Sequence, residues 1–339
     1  MPTSLKKIAE ILNISISTVS KALKNYNDVS KETKRKVRKV AQELNYVPNT
    51  FAVTLRTHQS KTIGVIIPTT VHHFFSKIIE GIVKVAETKG YLVILLQSNE
   101  KVALEKKQID LLLNKGVDGI MISLSNETNS FEHLEKVKNR GTPLVLFDKI
   151  TKSINCSKVV IDDKKSAYQA VCYLVNKGHR RIAHFRGGLN PQNSIDRFLG
   201  YRKALDDNGI PYDSSLVYLC NNNADYKDGY NSAKKLIEDH TTKVDAIFAI
   251  TDVIAIGAMK YFEDKNIKVP KDIAVLGFSN WFMSSIITPS LTTVNQPAYE
   301  MGVKSVEILI EEIYCKNKGV DIENKKLVIP TNLIIRNST

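Results

Sequence analysis

Residues 4–23 read Ser4-Leu5-Lys6-Lys7-Ile8-Ala9-Glu10-Ile11-Leu12-Asn13-Ile14-Ser15-Ile16-Ser17-Thr18-Val19-Ser20-Lys21-Ala22-Leu23. Two short amphipathic segments separated by a polar turn at Asn13 predict a helix-turn-helix, and the second helix is dimensioned to lie in a DNA major groove. Everything downstream is then to be read as something that controls DNA binding. Ser30 opens a predicted third helix. Ser4, Ser15 and Ser30 each stand where a hydroxyl can accept from the free N–H groups of a first turn. Ile8, Ala9, Ile14, Val19, Leu23, Val37, Ala41 and Leu44 recur at helical spacing and form the predicted small core. A domain of about fifty residues is thin, so dimerisation or DNA would help to stabilise it.

Charge is concentrated in the same region. Within residues 1–60 eleven basic residues face four acidic ones, so +7 of the net +13 lies in under a fifth of the 339-residue chain. A basic cluster on a helix-turn-helix is the footprint of a phosphate-binding surface. Lys34, Arg35, Lys36, Arg38 and Lys39 cannot all face one groove, which assigns several of them to solvent. Beyond Pro48, Asn49-Thr50-Phe51-Ala52-Val53-Thr54-Leu55-Arg56 reads as a two-turn helix capped by Asn49. A helix this short is unstable alone and is expected to order against DNA and a partner copy. Residues 57–61 are polar and serve as a linker.

The remainder alternates strands and helices. Buried strands are predicted at 63–68, 91–96, 117–123 and 143–148, with helices between them, and the rhythm restarts at 181–185, 217–220, 244–251 and 273–278. This order implies two parallel sheets covered on both faces, with a cleft between two subdomains where ligands meet the carboxyl ends of strands. At 43% hydrophobic and 24% charged, the composition argues against disorder. No run of eighteen apolar residues occurs and the N-terminus lacks a signal-peptide core, which predicts a cytoplasmic protein without a membrane partner. Cys156, Cys172, Cys220 and Cys315 are scattered and form no metal-ligand pair, so reduced, structural thiols are expected.

Several motifs occur together and in order. They are Ser17-Thr18-Val19-Ser20-Lys21-Ala22-Leu23, Val29-Ser30 with Thr33, Leu44-Asn45-Tyr46-Val47-Pro48-Asn49, Thr62-Ile63-Gly64-Val65-Ile66-Ile67-Pro68, Phe74-Phe75, Lys115-Gly116-Val117-Asp118-Gly119-Ile120, Gly178-His179-Arg180-Arg181-Ile182-Ala183, Arg197-Phe198 with Gly200-Tyr201, and Leu291-Thr292-Thr293-Val294 with Gln296-Pro297. In this joint spacing the chain resembles the LacI/GalR family of bacterial transcriptional regulators over nearly its whole length. The resemblance implies an all-α helix-turn-helix head (1–48), a hinge helix and linker (49–61), and an α/β periplasmic-binding-protein-like core of two Rossmann-like subdomains (62–339). It places an N-subdomain at about 62–162 and 292–321 and a C-subdomain at about 163–291 and 322–339, with crossings near 162, 291 and 322. It further implies a homodimer on a near-palindromic double-stranded operator, repression as the usual outcome, and control by a cleft ligand or a protein corepressor.

Carried over by position, Ile16, Ser17 and Lys21 face base edges. Most relatives have arginine at the Lys21 position, and lysine lacks the bidentate fork for guanine. Ser15, Thr18, Ser20, Asn25 and Thr33 are assigned to phosphate contact or capping, and Leu55 to a wedge in the minor groove. The effector pocket carried over consists of Phe74 and Phe75 on the loop after the first strand, Asp148, Arg197, Thr251, Asp252 and Ser279. Arg197 is the strongest single candidate, since its fork can clamp hydroxyls, carboxylate or phosphate. The chain departs from the family with Ser279 for aspartate, Thr251 for asparagine and Ala224 for an aromatic residue; Trp281 or Tyr226 could refill the last space. Such a pocket suits a small polyhydroxylated effector, such as a carbohydrate, or a heterocyclic one.

His72-His73 lacks a third ligand, so no metal is expected, and no cofactor is implied. Arg186-Gly187-Gly188 lacks a phosphate-binding spacing, and no nucleophile with its base is visible, which argues against an enzyme. A solute-binding protein for transport would share the bilobal core but would need an export signal and no helix-turn-helix.

Overall fold

The computed structural model describes residues 4–46, 59–71, 73–220, 225–239 and 244–339. The chain divides into two units, Met1–Ser60 and Lys61–Thr339. The predicted hinge helix, including Asn49 and Leu55, lies outside the described residues, as do Ala224 and His72.

In the first unit, α1 spans Leu5–Leu12, α2 Ile16–Leu23 and α3 Lys31–Glu43. The three serines cap them as their spacing predicts: Ser4 accepts from Lys7 N–H, Ser15 from Thr18 N–H and Ser30 from Thr33 N–H. Asn13 ends α1 in the left-handed region at φ 51°, a conformation asparagine tolerates because its short polar side chain can bond locally. Ile8, Ala9, Val19, Ala22, Val29, Val37 and Ala41 are buried together, with Ile14, Leu23 and Leu44 partly buried around them.

The second unit holds two six-stranded sheets. β1 Thr62–Ile67, β2 Leu92–Gln97, β3 Gly119–Ile122, β4 Leu144–Phe147, β5 Ser157–Ile161 and β11 Lys326–Ile329 form the first, ordered β11-β5-β4-β3-β1-β2 and wholly parallel. β6 Ile182–Arg186, β7 Val217–Leu219, β8 Ala246–Ala249, β9 Ala274–Ser279, β10 Thr292–Asn295 and β12 Asn332–Ile334 form the second, parallel except for the β10–β12 pair. Between them run α4 His73–Thr88, α5 Val102–Lys115, α6 Glu132–Asn139, α7 Asp163–Asn176, α8 Gln192–Asp207, α9 Tyr226–Asp239, α10 Asp252–Asp264, α11 Met283–Ile286 and α12 Ala298–Lys318.

Strand alternation explains the layers. On β1 and β4, Ile63, Val65, Ile67, Val145 and Phe147 point to the α4/α12 face, while Ile66, Leu144 and Leu146 meet α5 and α6. Because both faces are covered, the strands read as continuous apolar runs. The α4–α12 pair needs close backbone approach: a Cβ at Gly302 would collide with the Ile78 carbonyl, and one at Gly81 with that of Tyr299.

Two expected crossings are corrected. β10 pairs with β9 in the second sheet, so the second crossing follows Asn295 instead of lying near 291. β11 pairs with β5 in the first sheet, which moves the third crossing from near 322 to between Ile329 and Asn332. The carriers of this information are short strands at or near a sheet edge, whose apolar runs are too brief to reveal their partner.

Candidate functional site

On the first unit, Leu5, Ile16, Ser17, Ser20, Lys21, Lys24 and Tyr26 line one concavity on the outer face of α2. Ile16 is 49% exposed, and a large apolar side chain held in water at the start of a helix is available for apolar contact with a partner. Ser15 and Thr18 are occupied locally: the Ser15 hydroxyl lies 2.7 Å from that of Ser17 and 2.8 Å from that of Thr18. Thr33 is likewise bonded to Ser30, at 2.8 Å. Lys21 pairs with Asp28 across the turn after α2, and that bond lowers the Asp28 carboxyl below its usual range. Asn25 stands apart from this concavity. Its backbone is left-handed (φ 63°), and its carbonyl and side-chain oxygen accept from Lys34 at 3.4 Å and Arg38 at 3.1 Å. The sequence positions alone did not point to Leu5, Lys24 or Tyr26; projecting the exposed face of α2 would have found Lys24.

In the second unit a cleft open to solvent lies at the carboxyl ends of both sheets. Thr69, Phe74 and Phe75 follow β1, Glu100 follows β2, Asp148 and Lys149 follow β4, Asn193, Ser194 and Arg197 stand on α8, and Ile250, Thr251, Ser279 and Gln296 close the other side. Phe74 and Phe75 sit in the first turn of α4, not on a loop, with ring centroids 5.4 Å apart in an edge contact. Thr251 caps α10 and Ser279 ends β9 with φ 118°.

Two predicted pocket residues are elsewhere. Asp252 is fully buried, accepting from Trp281 N–H at 2.7 Å, Ser284 hydroxyl at 2.7 Å and Thr293 hydroxyl at 2.5 Å. It pins the 281–284 segment to β10 and does not line the cavity. Trp281 also turns away from the lining and packs edge-on against Phe282, which in turn meets His73 at 5.6 Å. Tyr226 does not line the cavity either.

Arg197 reaches the cavity wall with most of its fork committed. Its Nε donates to Asp163 at 2.8 Å, Nη1 donates to the Ile250 carbonyl at 2.8 Å, and the guanidinium stacks 3.6 Å from the Phe278 centroid. Lys149, which sequence reasoning missed, donates to Glu100 and to the Asn126 side chain, both at 2.6 Å. Asp148 holds a single long bond from Asn193, at 3.3 Å, and burial raises its carboxyl above the ordinary value against the pull of Lys149 and Arg197. Among the described residues, the Ser194 hydroxyl and Gln296 Nε2 are buried without a partner.

A buried network supports the rim. Burial pushes the Glu105 carboxyl up, but bonds from His133 and from Ser125 outweigh it and leave it below the ordinary value. Ser125 precedes Asn126, whose carbonyl accepts from Asn190 of the opposite lobe at 3.2 Å.

Comparison with known proteins matches the two parts of the chain separately. Residues 4–49 match the model described as bacterial regulatory proteins, lacI family, and residues 60–337 that of the periplasmic binding proteins and sugar binding domain of LacI family. The chain belongs to the LacI family. It is a DNA-binding transcriptional regulator with an all-α head and an α/β core of two parallel-sheet lobes. Among LacI-family relatives, the regulator RegA of Clostridium acetobutylicum is 37% identical, covering 100% of this chain and 99% of its own. Catabolite control protein A of Priestia megaterium is 32% identical over the full length of both. The lac repressor dimer bound to operator and an anti-inducer superposes with a TM-score of 0.87 at 25% identity, covering 100% of this chain and 99% of that one. The CelR–cellobiose complex gives 0.75 at 26%, covering 99% and 100%. Of these, RegA is named as an HTH-type transcriptional regulator. Among the described residues no helix is long and apolar enough to cross a membrane.

Proposed function

We propose that this LacI-family regulator is a non-enzymatic repressor that acts in the cytoplasm as a homodimer on a near-palindromic operator, with a small neutral polyhydroxylated effector, such as a carbohydrate, in its cleft. The ligand class rests on how the cavity's polar groups are divided. Its cations are largely spent on protein partners, Lys149 on Glu100 and Asn126, and Arg197 on Asp163 and the Ile250 carbonyl. The groups left wanting are the Ser194 hydroxyl, the Gln296 amide and the thinly bonded Asp148. An anion would compete with existing ion pairs, whereas a polyol donates to Asp148 and accepts from Gln296, relieving buried groups that are costly to leave unbonded. The Phe74 and Phe75 faces suit the C–H side of a ring.

The same geometry supplies a route to control. Asn193–Asp148 and Asn190–Asn126 both join opposite lobes. A ligand that takes over Asp148 alters one of these bonds, and affinity for DNA changes only if the ligand binds two lobe arrangements unequally. Pairing of two heads would place protein and operator symmetry on one axis. The test is thermal denaturation of the full chain against neutral sugars, sugar phosphates and sugar acids. A neutral polyol should raise the melting temperature by mass action, about 2.7 kcal/mol at a hundredfold excess over Kd. Stabilisation by the phosphates with none from neutral sugars would overturn the reading.

A further inference from the structure

Arg186 closes β6 on the face that meets α8, and its guanidinium lies 4.2 Å from the Phe198 centroid. Among the described residues its side chain makes no hydrogen bond or ion pair, and its Nε is shielded from water. Stacking on a ring satisfies the flat face of a guanidinium, whereas all five N–H donors lie in its plane and point outward. Burial draws the group below its ordinary value, because the charged form is the one that loses solvation. A half-buried cation without a counter-charge is costly to keep, so what surrounds it matters.

The surroundings supply a second cation and an apolar rim. Phe198 and Arg202 stand one turn apart on α8, a separation of about 6 Å. Tyr212 packs on both, edge-on to Phe198 at 6.3 Å between centroids and beneath the Arg202 guanidinium at 4.3 Å. Leu219, the register partner of Arg186 on β7, is 44% exposed beside it. Phe198 is itself stacked on the buried His184 ring at 6.2 Å, which fixes the platform before any ligand arrives. The acids close by do not serve these two arginines. Asp213 accepts from Ser215 N–H at 2.9 Å and lies 3.7 Å from Arg181. Asp206 follows Arg202 by four residues, the weaker orientation for a helical pair, and the two make no ion pair. Two stacked guanidinium forks without a carboxylate fit an oxyanion of about two charges, which a phosphoryl group carries near neutrality. We propose that Arg186 and Arg202 form a second ligand site, outside the effector cleft, for the phosphoryl group of a small metabolite whose apolar part rests on Tyr212 and Leu219. None of these four residues lines the cleft, so the site stands whatever the cleft binds.

Phenyl phosphate is the probe, titrated into the full chain at constant ionic strength and followed by saturation transfer to its ring protons, with benzyl alcohol as the neutral counterpart. The basic head meets the anion in every variant, so the site is read as the component that depends on Arg186. Arg186→Met keeps an unbranched side chain and removes the charge; it should weaken that component by roughly tenfold or more. Arg202→Gln should weaken it less, since Arg202 is exposed and screened by salt. Arg140→Gln, at the exposed end of α6, should change nothing. Without probe, the urea midpoint of Arg186→Met should stay level or rise, because the substitution removes a cation that lacks a counter-charge. Unchanged binding in Arg186→Met, an equal loss in Arg140→Gln, or benzyl alcohol bound as tightly as phenyl phosphate overturns the proposal. A lowered midpoint in Arg186→Met also overturns it, by making the arginine a structural prop. All of these outcomes leave the DNA-binding role and the neutral cleft ligand standing.

Discussion

The proposed DNA-reading face and the proposed effector cleft are built in opposite ways. Leu5 to Tyr26 supply the first from adjoining turns of one small domain, and its side chains are largely exposed. The second draws on segments from Thr69 to Gln296, and its charged groups are mostly buried and bonded to one another. An exposed face can exchange residues with little effect on stability, because water takes the place of the side chain removed. In the cleft each side chain is also a structural partner, so changing the ligand specificity changes the fold's energetics.

Arg197→Ala should show this contrast most strongly. It strands the Asp163 carboxylate, 8% exposed on its side chain, without its guanidinium partner. Breaking a buried pair in this way costs about 3–5 kcal/mol, to be read as a lower urea midpoint for the core. A loss confined to effector binding, with the midpoint unmoved, would break the comparison.

A smaller effect should come from pH. His184 is fully buried between Tyr201 and Phe248, and its Nδ1 bonds the Phe248 carbonyl at 2.9 Å. Burial holds its imidazole down at about 3, against about 6.5 in an unfolded chain. Between those values the unfolded chain binds a proton that the folded one refuses, so stability falls as pH drops from about 6.5 toward 3 and is fully present above 7. Urea midpoints at about pH 4.5 and 7.5 should differ more in the unsubstituted chain than in His184→Gln; equal differences would count against it.

The smallest effect on stability belongs to Lys21→Ala. Its ion pair with Asp28 is half exposed and screened by water. The head should melt as before, while discrimination between a selected operator and a scrambled duplex falls, by less than the roughly ten- to hundredfold that a bidentate base contact supplies. A lowered head midpoint with discrimination intact would reverse the roles assigned to the two regions.

Legibility follows the same division. The serine caps at Ser4, Ser15 and Ser30 and the helical recurrence of Ile8, Val19 and Val37 are local signals, and the head could be read from them. The apolar runs of β1, β3 and β4 announced buried parallel strands for the same reason. β5, β10, β11 and β12 are three to five residues long, and which sheet claims such a strand depends on pairing across the molecule. That is why two crossings were displaced. Position alone brought Phe74, Phe75, Asp148, Arg197, Thr251 and Ser279 to the cavity, but it also nominated Asp252, which is a structural clasp, and Trp281, which faces Phe282.

By itself the sequence determined the periodicities, the caps and the charge asymmetry, because each depends on neighbours within a turn or two of helix or a single strand. Tertiary structure alone decided which buried groups are satisfied. Whether Arg197 is free to clamp a ligand depends on Asp163 and Ile250, and whether Lys149 is depends on Glu100 and Asn126. Desolvation makes those distant partnerships binding: a charge taken out of water must find its counterpart wherever the fold has placed it.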